Sequence, residues 1–193
     1  GLQALKANAP DLGANPEMLA FVQNYTDMGF LSIILFLFIG AILTMIVQAS
    51  AATMAITLIM CANGWIDYHL GVALVLGENI GTTITANLAA LTGNTQSRRA
   101  ALAHLVFNIF GVMWVLVLFY PFTAAVSWFV TDVMNISDPA VAVSFKLAAF
   151  HTAFNISNTF IMIWFVGLIE KTVCFLIKGK KDEDEEYRLR YIT

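Results

Sequence analysis

Residues 28–53 read MGFLSIILFLFIGAILTMIVQASAAT. The stretch from Met28 to Val47 carries no charge, and its twenty residues of helix would extend about 30 Å, the thickness of a bilayer's hydrocarbon core. A polar group follows at Gln48-Ala49-Ser50. The next apolar run, Ala51 to Ala62, gives only about 18 Å of helix and is too short to cross. Asn63-Gly64 then supplies a turn, with Trp65 and Tyr68 as aromatics suited to a membrane interface. A long apolar arm, a polar tip and a short returning arm predict a re-entrant helical hairpin.

The rest of the chain has the same character. Of 193 residues, 59% are hydrophobic and 12% are charged, where a soluble domain carries about 25% charged residues. Ten of the 23 charged residues lie between Lys178 and Arg190, and only nine between Met28 and Ile177. A water-soluble fold would have nothing to cover the outside of that middle stretch, so the fold class is all-α and membrane-spanning, with the lipid bilayer as partner. The net charge of −3, with no basic stripe outside the tail, argues against nucleic acid. Cys61 and Cys174 sit in separate apolar runs and read as packing residues. Gly1 opens the chain without a charged leader, which suggests a portion of a longer protein.

Three regions follow: an extramembrane or interfacial lead-in over 1–27, a transmembrane part over 28–177, and a charged cytoplasmic tail over 178–193. Within the transmembrane part, Leu70 to Leu91 is long enough to cross. It is interrupted by Gly77-Glu78-Asn79-Ile80-Gly81-Thr82-Thr83, poor material for a continuous helix, and a broken helix is expected there. Ala100 to Val130 makes the next crossing, ending or kinking near Tyr120-Pro121. Thr131 to Pro139 is an acidic loop. Val141 to Ile177 exceeds one straight span and is expected to tilt, to break around Asn155-Ile156-Ser157-Asn158, or to extend past the bilayer. Arg98-Arg99 and the tail bases Lys178, Lys180 and Lys181 belong on the cytoplasmic side, and two crossings between them satisfy that parity.

The chemistry concentrates at two polar stretches, 48–53 and 77–83. A helix that starts at such a break presents free N–H groups and the positive end of its dipole, an anion site that needs no lysine. Carbonyls freed at the end of the preceding half-helix can coordinate a desolvated cation such as sodium. The hydroxyls of Ser50, Thr53, Thr82 and Thr83 and the amides of Gln48 and Asn79 can serve either ion. Glu78 is a carboxyl at membrane depth that needs a proton or a partner, either a bound sodium or Lys146. His104 with Asn108, and His151 with Asn155, repeat one spacing and share a helical face. They read either as helix–helix glue or as substrate contacts. Phosphate loops, dinucleotide fingerprints and HExxH are lacking, and His69, His104 and His151 have no partners at metal-ligand spacing. No cofactor is expected beyond transported sodium.

Residues Gln48 to Thr53 resemble the QSSSAT signature of the sodium/phosphate cotransporter family (type II), and Gly77 to Thr83 resemble its companion G-x-N-I-G-T-T. Arg99 to Asn108 is similar to the family's RAALAHLLFN stretch, and the similarity runs from Gly1 to about Ile177. The chain looks like the C-terminal repeat of a bacterial member. The resemblance implies sodium-coupled inorganic phosphate symport by alternating access across the cell inner (plasma) membrane, not an enzyme. It further implies one of two inverted repeats, each with a re-entrant hairpin and a broken helix, so that a matching repeat or a second, oppositely inserted copy completes the site. The tail is placed to lead into a PhoU-like domain. The half-sites implied are Gln48, Ser50 and Thr53 on one side and Asn79, Gly81, Thr82 and Thr83 on the other, with Glu78 near a cation. Ala49 and Ala51 stand where the family has serines, removing two hydroxyls while leaving the backbone N–H groups. A phosphate sensor without transport, a carrier of another small oxyanion, and a membrane hydrolase using Ser50 with His104 or His151 are the alternatives.

Overall fold

The computed structural model describes residues 25–179; the lead-in over 1–24 and the tail over 180–193 lie outside the described residues. Among the described residues seven α-helices run in order: α1 (Phe30–Val47), α2 (Ser50–Ala62), α3 (Tyr68–Ala90), α4 (Thr95–Val117), α5 (Phe119–Trp128), α6 (Pro139–Met162) and α7 (Val166–Leu176). A π-helical turn (Phe129–Val133) follows α5, and a 3-10 turn (Ile163–Phe165) joins α6 to α7. No strand occurs among the described residues. The chain is an all-α membrane protein. Among the described residues, three spans are long and apolar enough to cross: Phe30–Val47, Thr95–Val117 and Pro139–Leu176. Large apolar side chains such as Ile46, Val117, Phe160, Trp164 and Phe175 point outward, as a lipid-facing surface requires.

The hairpin turns where the sequence places it. Gln48 caps α1 in the left-handed conformation (φ 55°), its N–H donating to Thr44 O, and Ala49 is extended before α2 begins at Ser50. Two residues suffice to reverse the chain, and α2 returns against α3 and α6.

The largest correction concerns Gly77–Thr83. No break occurs there: α3 is one continuous helix from Tyr68 to Ala90, capped by Asp67, whose carboxylate accepts from Leu70 N at 2.8 Å. The glycines serve packing instead. A Cβ at Gly77 would collide with the backbone of Leu37 and Ala41, one at Gly81 would come within 2.5 Å of Ala41 O, and one at Gly40 would strike Leu74 O. Bare backbone on both helices lets α1 and α3 approach until main chain meets main chain, the way small residues let helices pack in membranes. The propensity cost of two glycines is small beside that contact. Helix α3 is accordingly the most enclosed element, with every residue from Leu70 to Glu78 buried.

Other expectations resolve in detail. The crossing after Arg98-Arg99 bends at Leu118, as expected near Tyr120-Pro121. Pro121 has no N–H to offer the Val117 carbonyl one turn back, so α4 ends and α5 sets off anew. In the long C-terminal stretch the interruption falls at Ile163–Phe165, and 155–158 is regular helix. Asn158 there is fully buried as a brace between helices: its amide donates to Phe107 O at 3.1 Å and its oxygen accepts from Trp114 Nε1 at 3.3 Å. Gly111 on α4 makes room for it. Asn87 links α3 to α4 by donating to Ala101 O at 2.8 Å. Phe122, Phe150, Phe154 and Trp114 fill the space between α4, α5 and α6. Cys61 is buried beside Gly71, and neither Cys61 nor Cys174 is bonded to another cysteine.

Arg99 Nε donates to Ile177 O at 3.0 Å, placing a cation at the end of α7 and tying the start of α4 to it. Arg99 and Lys178 therefore share one end of the molecule, as the charge parity requires.

Candidate functional site

A polar cavity of about 150 Å³ lies between the start of α2, the middle of α3, and the facing sides of α4 and α6. Ser50 reaches it from the hairpin tip. Glu78, Asn79 and Thr82 line it from α3, and Phe107 closes one side. His104 and Asn108 come from α4, and His151 and Asn155 from α6. The two His–Asn pairs that echo each other in sequence thus meet across one space. The cross-helix hydrogen bonding expected of glue is made by Asn158 instead.

The local chemistry follows from helix spacing. Residues 78 and 82 lie one turn apart and Asn79 lies beside them, while Gly77 and Gly81 occupy the face against α1. Thr82 donates its hydroxyl to Glu78 O at 2.9 Å, and Asn79 donates its amide to Val75 O at 3.0 Å. Asn108 donates to His104 O at 3.0 Å and Asn155 to His151 O at 2.8 Å. Each of these amides spends an N–H on a carbonyl one turn back and keeps its oxygen for something else. Glu78 is 4% exposed, and its Oε2 has no hydrogen-bond partner.

At the start of α2, Ala52 N and Thr53 N donate to Ala49 O, and no side chain caps the helix. The N–H groups of Ser50 and Ala51 are thus left over at the end of the helix that meets the cavity.

The residues singled out in the sequence separate into two groups. Ser50, Asn79, Thr82 and Glu78 line the cavity. Gln48 is exposed at the hairpin tip. Thr53 and Thr83 are fully buried, bonded to Ala49 O (3.5 Å) and Ile80 O (2.7 Å), and Gly81 lies against α1. Asn108 and Asn155 were legible in the sequence through their shared spacing from histidine, although nothing in it joined them to Glu78. Ser50 makes no hydrogen bond to either histidine among the described residues, so no activated nucleophile is assembled.

A second, wider depression of about 1030 Å³ opens between α4 and α7. Arg99, Lys178 and Glu170 edge it, and His104 and Phe107 line both it and the polar cavity.

Residues 12–136 match the family described as Na+/Pi-cotransporter. The chain belongs to that family. A Bacillus subtilis relative, the uncharacterized protein YqeW, is 35% identical over 144 residues, which is 75% of this chain and 44% of the relative. The Escherichia coli K12 relative named putative inorganic phosphate export protein YjbB is 26% identical over 97% of this chain and 32% of its own length. The rat sodium-dependent phosphate transport protein 2B is 41% identical over 97 residues, 48% of this chain and 13% of that protein. This chain therefore spans less than half of the first relatives it matches. No solved structure matches it.

Proposed function

We propose that this chain supplies part of the route by which inorganic phosphate crosses the membrane, coupled to sodium. Its membership of the Na+/Pi-cotransporter family is the observation that carries the reading, and the polar cavity gives it a place. A small anion would meet the unused N–H groups and positive dipole end of α2, the hydroxyls of Ser50 and Thr82, and the Asn79 amide. Gln48 stands at the tip beside it. Arg99 and Lys178 on the wider depression would attract an anion approaching from that end. A matching repeat, or a second copy, would complete the site.

Inward symport is energetically sufficient. Each net positive charge moved through 100 mV contributes about 2.3 kcal/mol, and a tenfold sodium gradient adds about 1.4 kcal/mol per ion. The second reading is export. It is favoured by the Escherichia coli relative named as a putative phosphate export protein, which aligns over 97% of this chain. Placement in the plasma membrane, with Arg99 and Lys178 on the cytoplasmic side, belongs to the same proposal. The test is phosphate flux by the full-length protein in proteoliposomes, with sodium gradients imposed in each direction. Uptake that rises with an inward sodium gradient supports symport. Efflux indifferent to sodium supports export, and no flux in any arm removes the transport reading.

A further inference from the structure

Two cavities meet at one pair of side chains. The polar cavity and the wider depression between α4 and α7 have His104 and Phe107 in common, and no other described residue lines both. Those two lie one turn apart on one face of α4, so the partition is a single layer of side chains. The Phe107 backbone is held in place, because its carbonyl accepts from the Asn158 amide at 3.1 Å. Its ring can turn without breaking any hydrogen bond.

The depression has the lining of a space that holds water. Helix α7 is tied to α4 at one end by the bond from Arg99 to Ile177 O, and is redirected from α6 at the other by the 3-10 turn. The depression opens between those two ends, and its 1030 Å³ has room for about thirty waters. Gln96, Arg99 and Lys178 stand at its rim. Glu170 also lines it, about 9 Å inside the end of α7. A carboxyl at that depth is costly against acyl chains and is found facing water-filled cavities. The same residue argues against a lipid tail, which the apolar wall of Ala103, Val166 and Val173 would otherwise suit.

We propose that this depression is an aqueous vestibule opening on the face that carries Arg99 and Lys178, and that the Phe107 ring is the barrier between it and the polar cavity. An apolar ring at a narrow point stops an ion by making it shed water. With the ring turned aside, His104 is the polar group that an entering anion passes, since it lines both spaces. Phe107 therefore acts through access to the cavity, not by holding what binds there. That the traffic is phosphate rests on the transport reading above; the vestibule and its barrier do not.

The experiment uses the full-length protein in sealed vesicles, with Cys174 as its only cysteine. A charged, membrane-impermeant methanethiosulfonate is added from each side in turn. Cys174 lines the depression and is expected to react from the Arg99 face alone. Ala103→Cys, deeper in the same space, is expected to do so in a Cys174→Ser background. Ile109→Cys, at an exposed apolar position off the depression, is expected to react from neither side. Ser50→Cys, beyond the barrier, then reports on Phe107. Its reaction from the Arg99 face is expected to be about 10-fold faster or more in Phe107→Ala. Phe107→Tyr keeps the ring and adds a hydroxyl that wets it, giving an intermediate rate, so the barrier stays testable if Phe107→Ala does not fold. Silence at both Cys174 and Ala103→Cys overturns the vestibule, as does equal reaction at Ile109→Cys. One rate for Ser50→Cys in all three backgrounds overturns the barrier. Labelling as expected, with no phosphate flux by the unmodified protein, supports the vestibule and removes the transport reading instead.

Discussion

Helix α3 carries two faces that differ in almost every physical respect. Toward α1, Gly77 and Gly81 offer bare backbone to Leu37, Ala41 and Thr44, and main chain packs against main chain. Toward α4 and α6, Glu78, Asn79 and Thr82 line a polar cavity. Both faces come from one seven-residue stretch, and the 100° step between successive helical residues sorts it. The dry face holds the helix rigidly in place, and that support lets a carboxyl sit one residue away at membrane depth without unwinding the chain. A site pressed against a fixed helix keeps its geometry when water or an ion enters it.

The comparison breaks most readily on the dry side. Gly77→Ala puts a methyl group into the Leu37 backbone, which cannot yield as a flexible side chain would. We expect a loss of about 3 kcal/mol or more, toward the upper end for overpacking, seen as a lower melting temperature in detergent and reduced yield. Asn158→Ala, at the brace between α4 and α6, leaves Trp114 Nε1 without its acceptor and removes the cross-helix bond to Phe107 O. It should cost about 1–3 kcal/mol, read by the same melt. Asn155→Ala sharpens the contrast, because that amide bonds only to its own helix. It should cost less than about 1 kcal/mol, read by the same melt. The smallest effect belongs to Gly167→Ala in α7, where a Cβ would meet nothing within 4 Å. Exchanging glycine for the best helix former there should be neutral or stabilising by up to about 1 kcal/mol. Were Gly77→Ala as mild as Gly167→Ala, the dry seam would not be what holds α3.

The difference between Asn155 and Asn158 shows where sequence reading stops. Both sit in Asn155-Ile156-Ser157-Asn158, a stretch that looks like a helix breaker and is not one. Three residues apart on α6, one faces the cavity and the other crosses to Phe107 and Trp114. Composition and spacing make them equivalent; only the position of α4 separates them. The same holds for Ser50 and Thr53, one at the cavity and the other fully buried. The hairpin, by contrast, was legible from the unequal lengths of its arms and the polar group between them.

The sequence by itself determined that the chain lives in a membrane, that it is helical, where the hairpin turns and where Pro121 ends the fourth helix. Each of these follows from local quantities: uncharged run length, the reach of a helix, and a missing N–H. Its motifs also singled out two stretches whose residues meet at one polar cavity. The tertiary structure decided what those stretches do. Whether Gly77-Glu78-Asn79-Ile80-Gly81 breaks a helix or fits one depends on how closely another backbone approaches. That approach is set by residues some forty positions away, at Leu37, Gly40 and Ala41. Glycine weakens an isolated helix and strengthens a packed one, so no reading confined to its neighbours in sequence could choose between the two.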